Sequence, residues 1–365
     1  MTVIALAGDT MLGCGVAGEV RRARPRRLFS ERIRDLTAQA DLFVLNLACA
    51  VSERGTPTPV PGKPLLFRAP PQAAAVLADL GVDAVSLAND HALDYGAEAL
   101  TDTRLHLAGL GVQTAGAGAD ADDARAPVIL KAGGLTVGLI AVTDHPADCA
   151  AGPGRPGVAH ADLRRGVPHW LSDHVRAVRR DTDVTLVSVH WGPKMVGRLV
   201  AYVRHAADGL VAAGATLVVG HSAHLFHGFT RHVLFDLGDF IDDYATHPVL
   251  RNDLGLLWLV TLDENGPQRT EAVPIALDHA HTRLADQAEY DRTADRLTSA
   301  CAGFRQPPSS PRDIAPTDSS ILGLELHPPP IGQDSVDPPI RLACPRRVDV
   351  IESQGSAPWC AGLLN

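Results

Sequence analysis

Residues 216–224 read Thr-Leu-Val-Val-Gly-His-Ser-Ala-His, an apolar, β-rich run that passes directly into two histidines. The same form occurs earlier in the chain, where Val184–Val189 runs into His190-Trp191-Gly192. Near-continuous apolar strands are typical of sheets that are buried on both faces, because side chains point alternately to the two faces and both sets are then apolar. The two stretches therefore indicate an α/β protein with polar side chains at its strand ends.

Further runs of this kind alternate with stretches of helical spacing, as expected for a layered α/β fold. The predicted strands are Val3–Ala7, Leu42–Leu45, Ala84–Leu87, Thr136–Val142, Val184–Val189, Thr216–Val219, His232–Phe235 and Leu256–Leu262. The predicted helices are Pro71–Leu80, Gly96–Ala108, Leu171–Arg180 and Ala201–Ala213. We expect the helices to cover the outer faces of the sheets.

Proline divides the 365-residue chain into a body and a tail. Eleven of the 27 prolines lie in residues 305–365. This segment has little periodic hydrophobicity, so it lacks the apolar side chains that build a core. We predict one folded domain over residues 1–304, followed by an irregular, disordered, Pro-rich tail over residues 305–365.

Charge and hydropathy exclude several classes of protein. The 33 basic and 42 acidic residues give a net charge of −9, which argues against a general affinity for nucleic acid. No apolar run approaches the roughly 20 residues that span a bilayer. Met1–Gly8 lacks the basic region that opens a secretory signal. We expect a cytoplasmic protein with neither a nucleic-acid partner nor a membrane span.

Acidic, amide and histidine side chains follow five of the predicted strands. In open α/β sheets, ligands bind beyond the carboxyl ends of the strands, so these side chains are expected to converge. A strand-terminal Asp taken alone is as well explained as a helix N-cap, but five such ends in order favour a site whose N and O donors suit Zn, Mn or Fe. The stretches are Gly8-Asp9, Asn46-Leu47-Ala48, Ala88-Asn89-Asp90-His91, His190-Trp191-Gly192 and Gly220-His221-Ser222-Ala223-His224.

The same stretches, followed by Leu237-Gly238-Asp239-Phe240, resemble the CapA family of poly-γ-glutamate capsule biosynthesis proteins. That family is built on the calcineurin-like metallophosphoesterase fold, so the resemblance implies a four-layer α/β/β/α sandwich. It implies catalytic roles for His91, Asp9 and His224, with His91 as the acid/base or transition-state residue. It further implies metal ligands at Asp9, Asp90, His190, His221 and His224, and substrate contacts from Asn46, Asn89 and Trp191.

Two positions depart from the pattern of the family. The second motif, normally Asn-Leu-Glu, ends here in Ala48, and a methyl group cannot bridge two cations as a carboxylate does. The third motif, normally Asn-Asn-His, carries Asp90 in its centre, which can ligate a metal and adds a negative charge. A divalent cofactor (Mn, Fe or Zn) is expected, and Ala48 raises a metal-free site as the alternative.

Three functions follow from the resemblance. The first is a metal-dependent hydrolase or transferase of the metallophosphatase fold, related to poly-γ-glutamate synthesis, with a polyglutamate, peptide or phosphorylated substrate. The second is a metal- and cofactor-independent peptide epimerase, in which a carboxylate and an opposed imidazole of the cluster remove and return an α-proton. Peptide epimerases of lasso-peptide biosynthesis resemble this fold and work without metal. The third is a degenerate, non-catalytic binding protein whose Pro-rich tail recruits a partner.

Two further segments near these motifs bear on the site. Asp239, Asp242 and Asp243 form an acidic cluster after a strand, which we interpret as a solvated loop, with pairing to Arg251 as the alternative. Asp144–Gly157 is rich in Pro, Gly and Ala and is predicted to be a loop long enough to touch a substrate.

Overall fold

A computed structural model describes residues 1–22, 27–58, 63, 65–304 and 324–326. Within these residues the strands are β1 (Thr2–Thr10), β2 (Leu42–Leu47), β3 (Ala50–Val51), β4 (Arg68–Ala69), β5 (Ala84–Ser86), β6 (Gln113–Ala115), β7 (Ala117–Gly118), β8 (Val128–Ala132), β9 (Leu135–Thr143), β10 (Gly157–Val158), β11 (Val184–His190), β12 (Leu217–His221), β13 (Phe229–Thr230), β14 (Val233–Leu234), β15 (Asp239–Ile241), β16 (Leu254–Asp263), β17 (Gly266–Asp278), β18 (His281–Leu284) and β19 (Leu324–Leu326). The helices are α1 (Cys14–Arg21), α2 (Glu31–Thr37), α3 (Gln72–Asp79), α4 (Gly96–Ala108), α5 (Ala121–Arg125), α6 (His169–Asp181), α7 (Ala201–Ala212) and α8 (Gln287–Ala302).

Two large sheets carry the fold. The first has the order β18-β17-β16-β1-β2-β5-β6, with β15 beside β1 and β19 beside β17. Its strands β1, β2, β5 and β6 are parallel, and β16, β17 and β18 continue it in antiparallel fashion. The second sheet has the order β13-β14-β12-β11-β9-β8 and is parallel from β14 to β9. Parallel centres place the carboxyl ends of successive strands at one edge of each sheet.

Successive side chains of a strand point alternately to two cores, one between the two sheets and one between a sheet and its helices. On β1, Leu6 packs into the core between the two sheets, whereas Ala7 packs against the helices α1 to α4. On β12, Val219 belongs to the inter-sheet core and Val218 to the core beneath α6 and α7. The layers therefore follow the order helix, sheet, sheet, helix. This confirms the α/β/β/α sandwich that the resemblance implies, and it explains why the strand sequences are apolar throughout.

The predicted elements are present in the structure. The predicted strands correspond to β1, β2, β5, β9, β11, β12, β14 and β16, and the predicted helices to α3, α4, α6 and α7. Helix α8 was not predicted, although it begins with a capping box in which the Asp286 carboxylate accepts from the Glu289 amide at 2.9 Å. Its Leu297 packs into the inter-sheet core.

The predicted Pro-rich tail, residues 305–365, lies outside the described residues apart from β19. Among the helices that the structure describes, none combines the length and the apolar composition needed to cross a membrane.

Candidate functional site

The carboxyl ends of the two sheets meet at one cluster of polar side chains. Oδ1 of Asp9, at the end of β1, lies 3.7 Å from Nδ1 of His221, at the end of β12. Oδ1 of Asp90, after β5, lies 3.5 Å from Nε2 of His190, at the end of β11. All four residues are at most 7% exposed. Four of the five predicted strand-end motifs are thus brought into contact across the sheets.

A second carboxylate completes a compact group around His224. Nδ1 of His224 lies 2.8 Å from Oδ1 of Asp239 and 3.6 Å from Oδ2 of Asp9. Ligand atoms of Asp9, His224 and Asp239 all lie within 4.8 Å of one another, and the three residues are buried. We call these three residues the Asp-His-Asp cluster.

Close backbone approach holds the Asp-His-Asp cluster together. The Asp9 amide donates to the Gly238 carbonyl at 2.9 Å, and a Cβ atom on Gly8 would lie 1.8 Å from the same oxygen. The carboxylate of Asp236 accepts from the Ala223 amide and from the Gly238 amide, both at 2.9 Å. His224 itself has a φ of +56°, in the left-handed region. Only glycine at position 8 allows β1 to lie this close to the Gly238 carbonyl.

Asp90 is held by a lysine that follows β11. Nζ of Lys194 lies 2.8 Å from Oδ2 of Asp90. The other oxygen, Oδ1, is buried and accepts no hydrogen bond among the described residues. It lies 3.5 Å from Nε2 of His190 and 3.5 Å from Nε2 of His91. Asp90 therefore offers one free oxygen to the site and has its other oxygen paired with an ammonium group.

His91 is oriented by a carboxylate on the side away from the site. Its Nδ1 lies 2.7 Å from Oδ2 of Asp94, and the Phe67 ring packs on the imidazole with centroids 4.5 Å apart. The ammonium of Lys63 contacts Oδ1 of Asp94 and the main-chain oxygen of Asp90. An Nδ1–H donated to Asp94 leaves the lone pair on Nε2, which points toward Asp90.

The residues predicted to contact the substrate are all deeply buried. Asn46 donates to Oδ1 of Asp9 at 2.7 Å, and Asn89 donates to Oδ1 of Asn46 at 3.0 Å. Both side chains are 0% exposed, so they position the acidic groups through their amides. Trp191 is 1% exposed and donates through Nε1 to the Phe235 carbonyl at 2.9 Å. The structure places its ring in the core between the second sheet and α7.

The loop that begins at Asp144 lies at the rim of the site. Oδ2 of Asp144 accepts from the hydroxyl of Tyr202 at 2.8 Å, and its other oxygen contacts the ring of His145. The His145 ring lies 4.8 Å, between centroids, from that of His190. His145 is only partly buried, so it lies between the buried cluster and solvent.

Burial determines the charge state of the imidazoles. It lowers the pKa of His91, His190 and His224 below the ordinary value, and it lowers the pKa of His221 to about 3. These rings are therefore neutral at neutral pH, and each keeps a lone pair. A neutral imidazole is the form that binds a metal ion.

The carboxylates divide into two groups. Burial raises the pKa of Asp9 to about 6, although the nearby His224 opposes the rise. Burial, and then the charge of Asp9, hold the pKa of Asp239 well above its ordinary range. Burial acts in the same direction on Asp90, but His91, Lys194 and Lys63 outweigh it and hold the pKa of Asp90 well below the usual value. Asp90 is thus ionised and paired with the ammonium of Lys194, whereas the Asp-His-Asp cluster has no lysine or arginine within ion-pair distance among the described residues.

The donor set of the Asp-His-Asp cluster fits a divalent cation. Oδ2 of Asp239 and Nδ1 of His221 are buried and have no hydrogen-bond partner among the described residues. Buried polar atoms of this kind normally have a partner, because an unmet hydrogen bond costs free energy. Two carboxylates and neutral imidazoles are typical ligands of Mn, Fe or Zn. Ala48, 3% exposed, brings no donor to the site.

Two residues of the site were missed in the sequence. The interpretation of Asp239, Asp242 and Asp243 as a solvated loop is wrong for Asp239 and Asp242, which are 1% and 5% exposed. The alternative pairing with Arg251 is also wrong, because Arg251 pairs with Asp253 at 2.6 Å. The LGDF stretch after a strand was the available signal for Asp239. For Lys194, the sequence offers no indication of a role in the site beyond its position four residues after His190.

Comparisons with known proteins identify the family of this chain. The family described as "Bacterial capsule synthesis protein PGA_cap" matches residues 3–244. A probable polyglutamine synthesis accessory protein of Mycobacterium tuberculosis is 33% identical over 279 residues, covering 71% of this chain and 72% of that protein. The PGA biosynthesis protein CapA of Bacillus subtilis is 27% identical over 215 residues, covering 57% of this chain and 54% of that protein.

Solved structures also match this chain, at lower identity. A phosphatase from Mycoplasma pneumoniae is 12% identical, with a TM-score of 0.45, and the match covers 76% of this chain and 95% of that one. The family match spans the strand-end motifs from Asp9 to His224 and continues through Asp239. The chain therefore belongs to the PGA_cap family of bacterial capsule synthesis proteins, the family that also carries the name CapA.

Proposed function

We propose that this chain is a metal-dependent enzyme of the CapA class, a hydrolase or transferase that acts on a polyglutamate, peptide or phosphorylated substrate. The observation that carries the proposal is the Asp-His-Asp cluster, whose ligand atoms lie within 4.8 Å of one another in a buried site. The names of the relatives refer to polyglutamine and PGA biosynthesis, so a glutamate polymer is the first substrate to test.

The residues of the cluster would hold the ion. Asp9, Asp239 and His224 would each offer one ligand atom, and these atoms lie within 4.8 Å of one another. His221 adds an Nδ1 beside Asp9 that has no hydrogen-bond partner among the described residues. A bound divalent ion polarises a carbonyl or phosphoryl oxygen and lowers the pKa of water. The buried surroundings exclude bulk water, which strengthens each electrostatic contact inside the site.

His91 is the acid/base residue of the proposal. Asp94 fixes its ring through Nδ1, so Nε2 is left to accept or return a proton on the side of Asp90 and His190. Because burial lowers the pKa of His91, its neutral, proton-accepting form predominates at neutral pH. Asn89 supports this position, since its Oδ1 accepts from the His91 amide at 2.9 Å.

Metal content and hydrolysis measured on the same samples test the proposal. The full chain is purified, loaded with Mn²⁺ or Zn²⁺, and assayed by elemental analysis and on γ-linked glutamate oligomers and a phosphomonoester. We expect bound metal and an activity that EDTA removes. His224→Ala is expected to lose both metal and activity, whereas His205→Ala, which changes an exposed histidine of α7, keeps both.

Two outcomes would contradict the proposal. Metal-free protein with unchanged activity excludes a metal-dependent reaction. Exchange of an α-proton in D₂O on a peptide, persisting in EDTA and lost in Asp9→Asn, would favour the epimerase instead.

A further inference from the structure

Lys194 reaches into the site from the segment after β11. Its side chain is 36% exposed, yet its Nζ lies 2.8 Å from Oδ2 of the buried Asp90. Two backbone amides anchor this segment: that of Gly192 donates to the Tyr202 hydroxyl at 3.0 Å, and that of Met195 donates to the Ala223 carbonyl at 3.0 Å. These hydrogen bonds hold the backbone on both sides of Lys194, and the contact with Asp90 holds its ammonium group in the site.

The polar side chains of the site form two halves. One half is the Asp-His-Asp cluster, where no lysine or arginine lies within ion-pair distance among the described residues. The other half contains Asp90 and His190, and there the ammonium of Lys194 is paired with the carboxylate. A divalent ion in this second half would have to share Asp90 with a positive charge, which like-charge repulsion opposes.

The neighbourhood of Asp90 contains further features that disfavour a second ion. Lys63 places another ammonium group 3.9 Å from Oδ2 of Asp90. The resemblance to the family implies a carboxylate at position 48 that would connect two cations, and Ala48 offers a methyl group instead. The half of the site around Asp90 therefore has two positive charges nearby and lacks a bridging ligand.

We propose that Lys194 takes the place of a second cation: the site binds a single divalent ion at the Asp-His-Asp cluster, and the Lys194 ammonium, anchored on Asp90, presents the second positive charge to an anionic oxygen of the substrate. This inference rests on the proposed metal-dependent function. It gives each half of the site a distinct role, one that binds the ion and one that binds the negative charge of the substrate by a fixed ammonium group.

The stoichiometry of bound metal tests this inference without an activity assay. The full chain is loaded with excess Mn²⁺, freed of unbound ion by gel filtration, and analysed for Mn per chain. We expect one equivalent for the wild-type protein. Lys194→Glu removes the ammonium and supplies a carboxylate beside Asp90, which offsets the charge of Lys63 and provides an anionic ligand that Ala48 does not, so its content should rise to two equivalents. The matched control, Lys131→Glu, makes the same charge change at an exposed position of β8 and should stay at one.

The possible results separate the inference from the function on which it rests. Two equivalents in the wild-type protein, or one equivalent in Lys194→Glu, would overturn the role of Lys194 while leaving a metal centre in place. No bound metal in the wild-type protein would contradict the proposed metal centre, and the inference with it. EPR of the Mn²⁺-loaded samples adds an independent readout, because two neighbouring ions in Lys194→Glu should give a spin-coupled signal that the wild-type protein lacks.

Discussion

Nδ1 of His224 lies 2.8 Å from Oδ1 of Asp239, and β15 brings this carboxylate alongside Asp9 of β1. The contact joins a loop of the second sheet to a strand of the first. It supplies the site with a carboxylate from β15. The site thus has a second buried carboxylate beside Asp9, although residue 48 is Ala.

Removal of this carboxylate should weaken metal binding. Asp239→Asn keeps the shape of the side chain but loses the charge, and we expect the affinity for Mn²⁺ or Zn²⁺ to fall at least about tenfold. Isothermal titration calorimetry measures the change. Asp291→Asn, at an exposed position of α8, is the control and should bind as the wild-type protein does. Equal affinity in both variants would remove Asp239 from the ligand set.

Replacement of His91 by Ala should lower kcat by about 10²- to 10⁴-fold, the usual contribution of a positioned acid/base group. The site should keep its metal, because the Asp-His-Asp cluster does not include His91. Elemental analysis together with the rate separates the two effects. Loss of metal in His91→Ala would show that the residue acts as a ligand instead.

Asp94→Asn should change the pH dependence of the reaction. Burial lowers the pKa of His91, and Asp94 partly opposes that effect. A neutral His91 is required as the base, so the rate should fall as the pH drops through its pKa, which lies below 6.5. Without Asp94 the pKa should be lower still, so the acidic limb of the kcat/KM profile moves to lower pH. Asp148→Asn, at an exposed position, should leave the limb where it is.

The metal-free protein should be stabilised by Asp9→Asn at high pH. The pKa of Asp9 is about 6 in the fold against an ordinary value of 3.8, so the fold favours the protonated form. The resulting stability is fully present below about pH 3.8 and is lost as the pH rises through about 6. An Asn stays neutral throughout. The gain in unfolding free energy over the wild-type protein should therefore grow by about 1 kcal/mol from pH 5 to pH 8.

Urea unfolding in EDTA at the two pH values measures this gain. A gain at pH 8 that is no larger than the gain at pH 5 would show that Asp9 ionises without a penalty. The same variant should also lose metal affinity, since Asp9 belongs to the Asp-His-Asp cluster. Asp9→Asn is thus expected both to stabilise the metal-free protein and to weaken its binding of the metal ion.

The close approach of β1 to Gly238 should make position 8 intolerant of a side chain. A Cβ atom on Gly8 would lie 1.8 Å from the Gly238 oxygen, so Gly8→Ala forces the backbone apart and should cost about 3 kcal/mol or more of unfolding free energy. Gly18→Ala is the control, because Gly18 lies within α1 and has no atom within 4 Å of the added Cβ. That change should stabilise the protein by about 0.5–1 kcal/mol. Urea denaturation of both variants checks the difference.

The strand-end residues could be predicted because each follows an uninterrupted apolar run. The buried strands β1, β11 and β12 leave no other place for their polar ends than the edge of a sheet, so Asp9, His190 and His221 were found from the sequence. Helix α8 was missed because only three of its side chains, those of Thr293, Leu297 and Cys301, are buried. So few buried positions give a weak apolar stripe.

Asp239 and Lys194 depend on contacts between distant parts of the chain. Asp239 lies in an acidic run that reads as solvated, and its burial follows only from the pairing of β15 with β1. Lys194 lies on a segment outside the regular elements, and the length of its side chain conceals which carboxylate it meets. In both cases the contacting residue is distant in sequence, so the spacing of residues along the chain does not predict these contacts.

The division of ligands between the two sheets has a consequence for folding. The carboxylates of Asp9 and Asp239 belong to the first sheet, whereas His221 and His224 lie at the end of β12 in the second. Neither half of the sandwich alone contains the whole ligand set. An ion bound at the proposed centre would therefore link the two sheets. Its binding free energy would add to the free energy with which one sheet packs on the other. Before the two sheets have packed together, the chain does not have the complete set of proposed metal ligands.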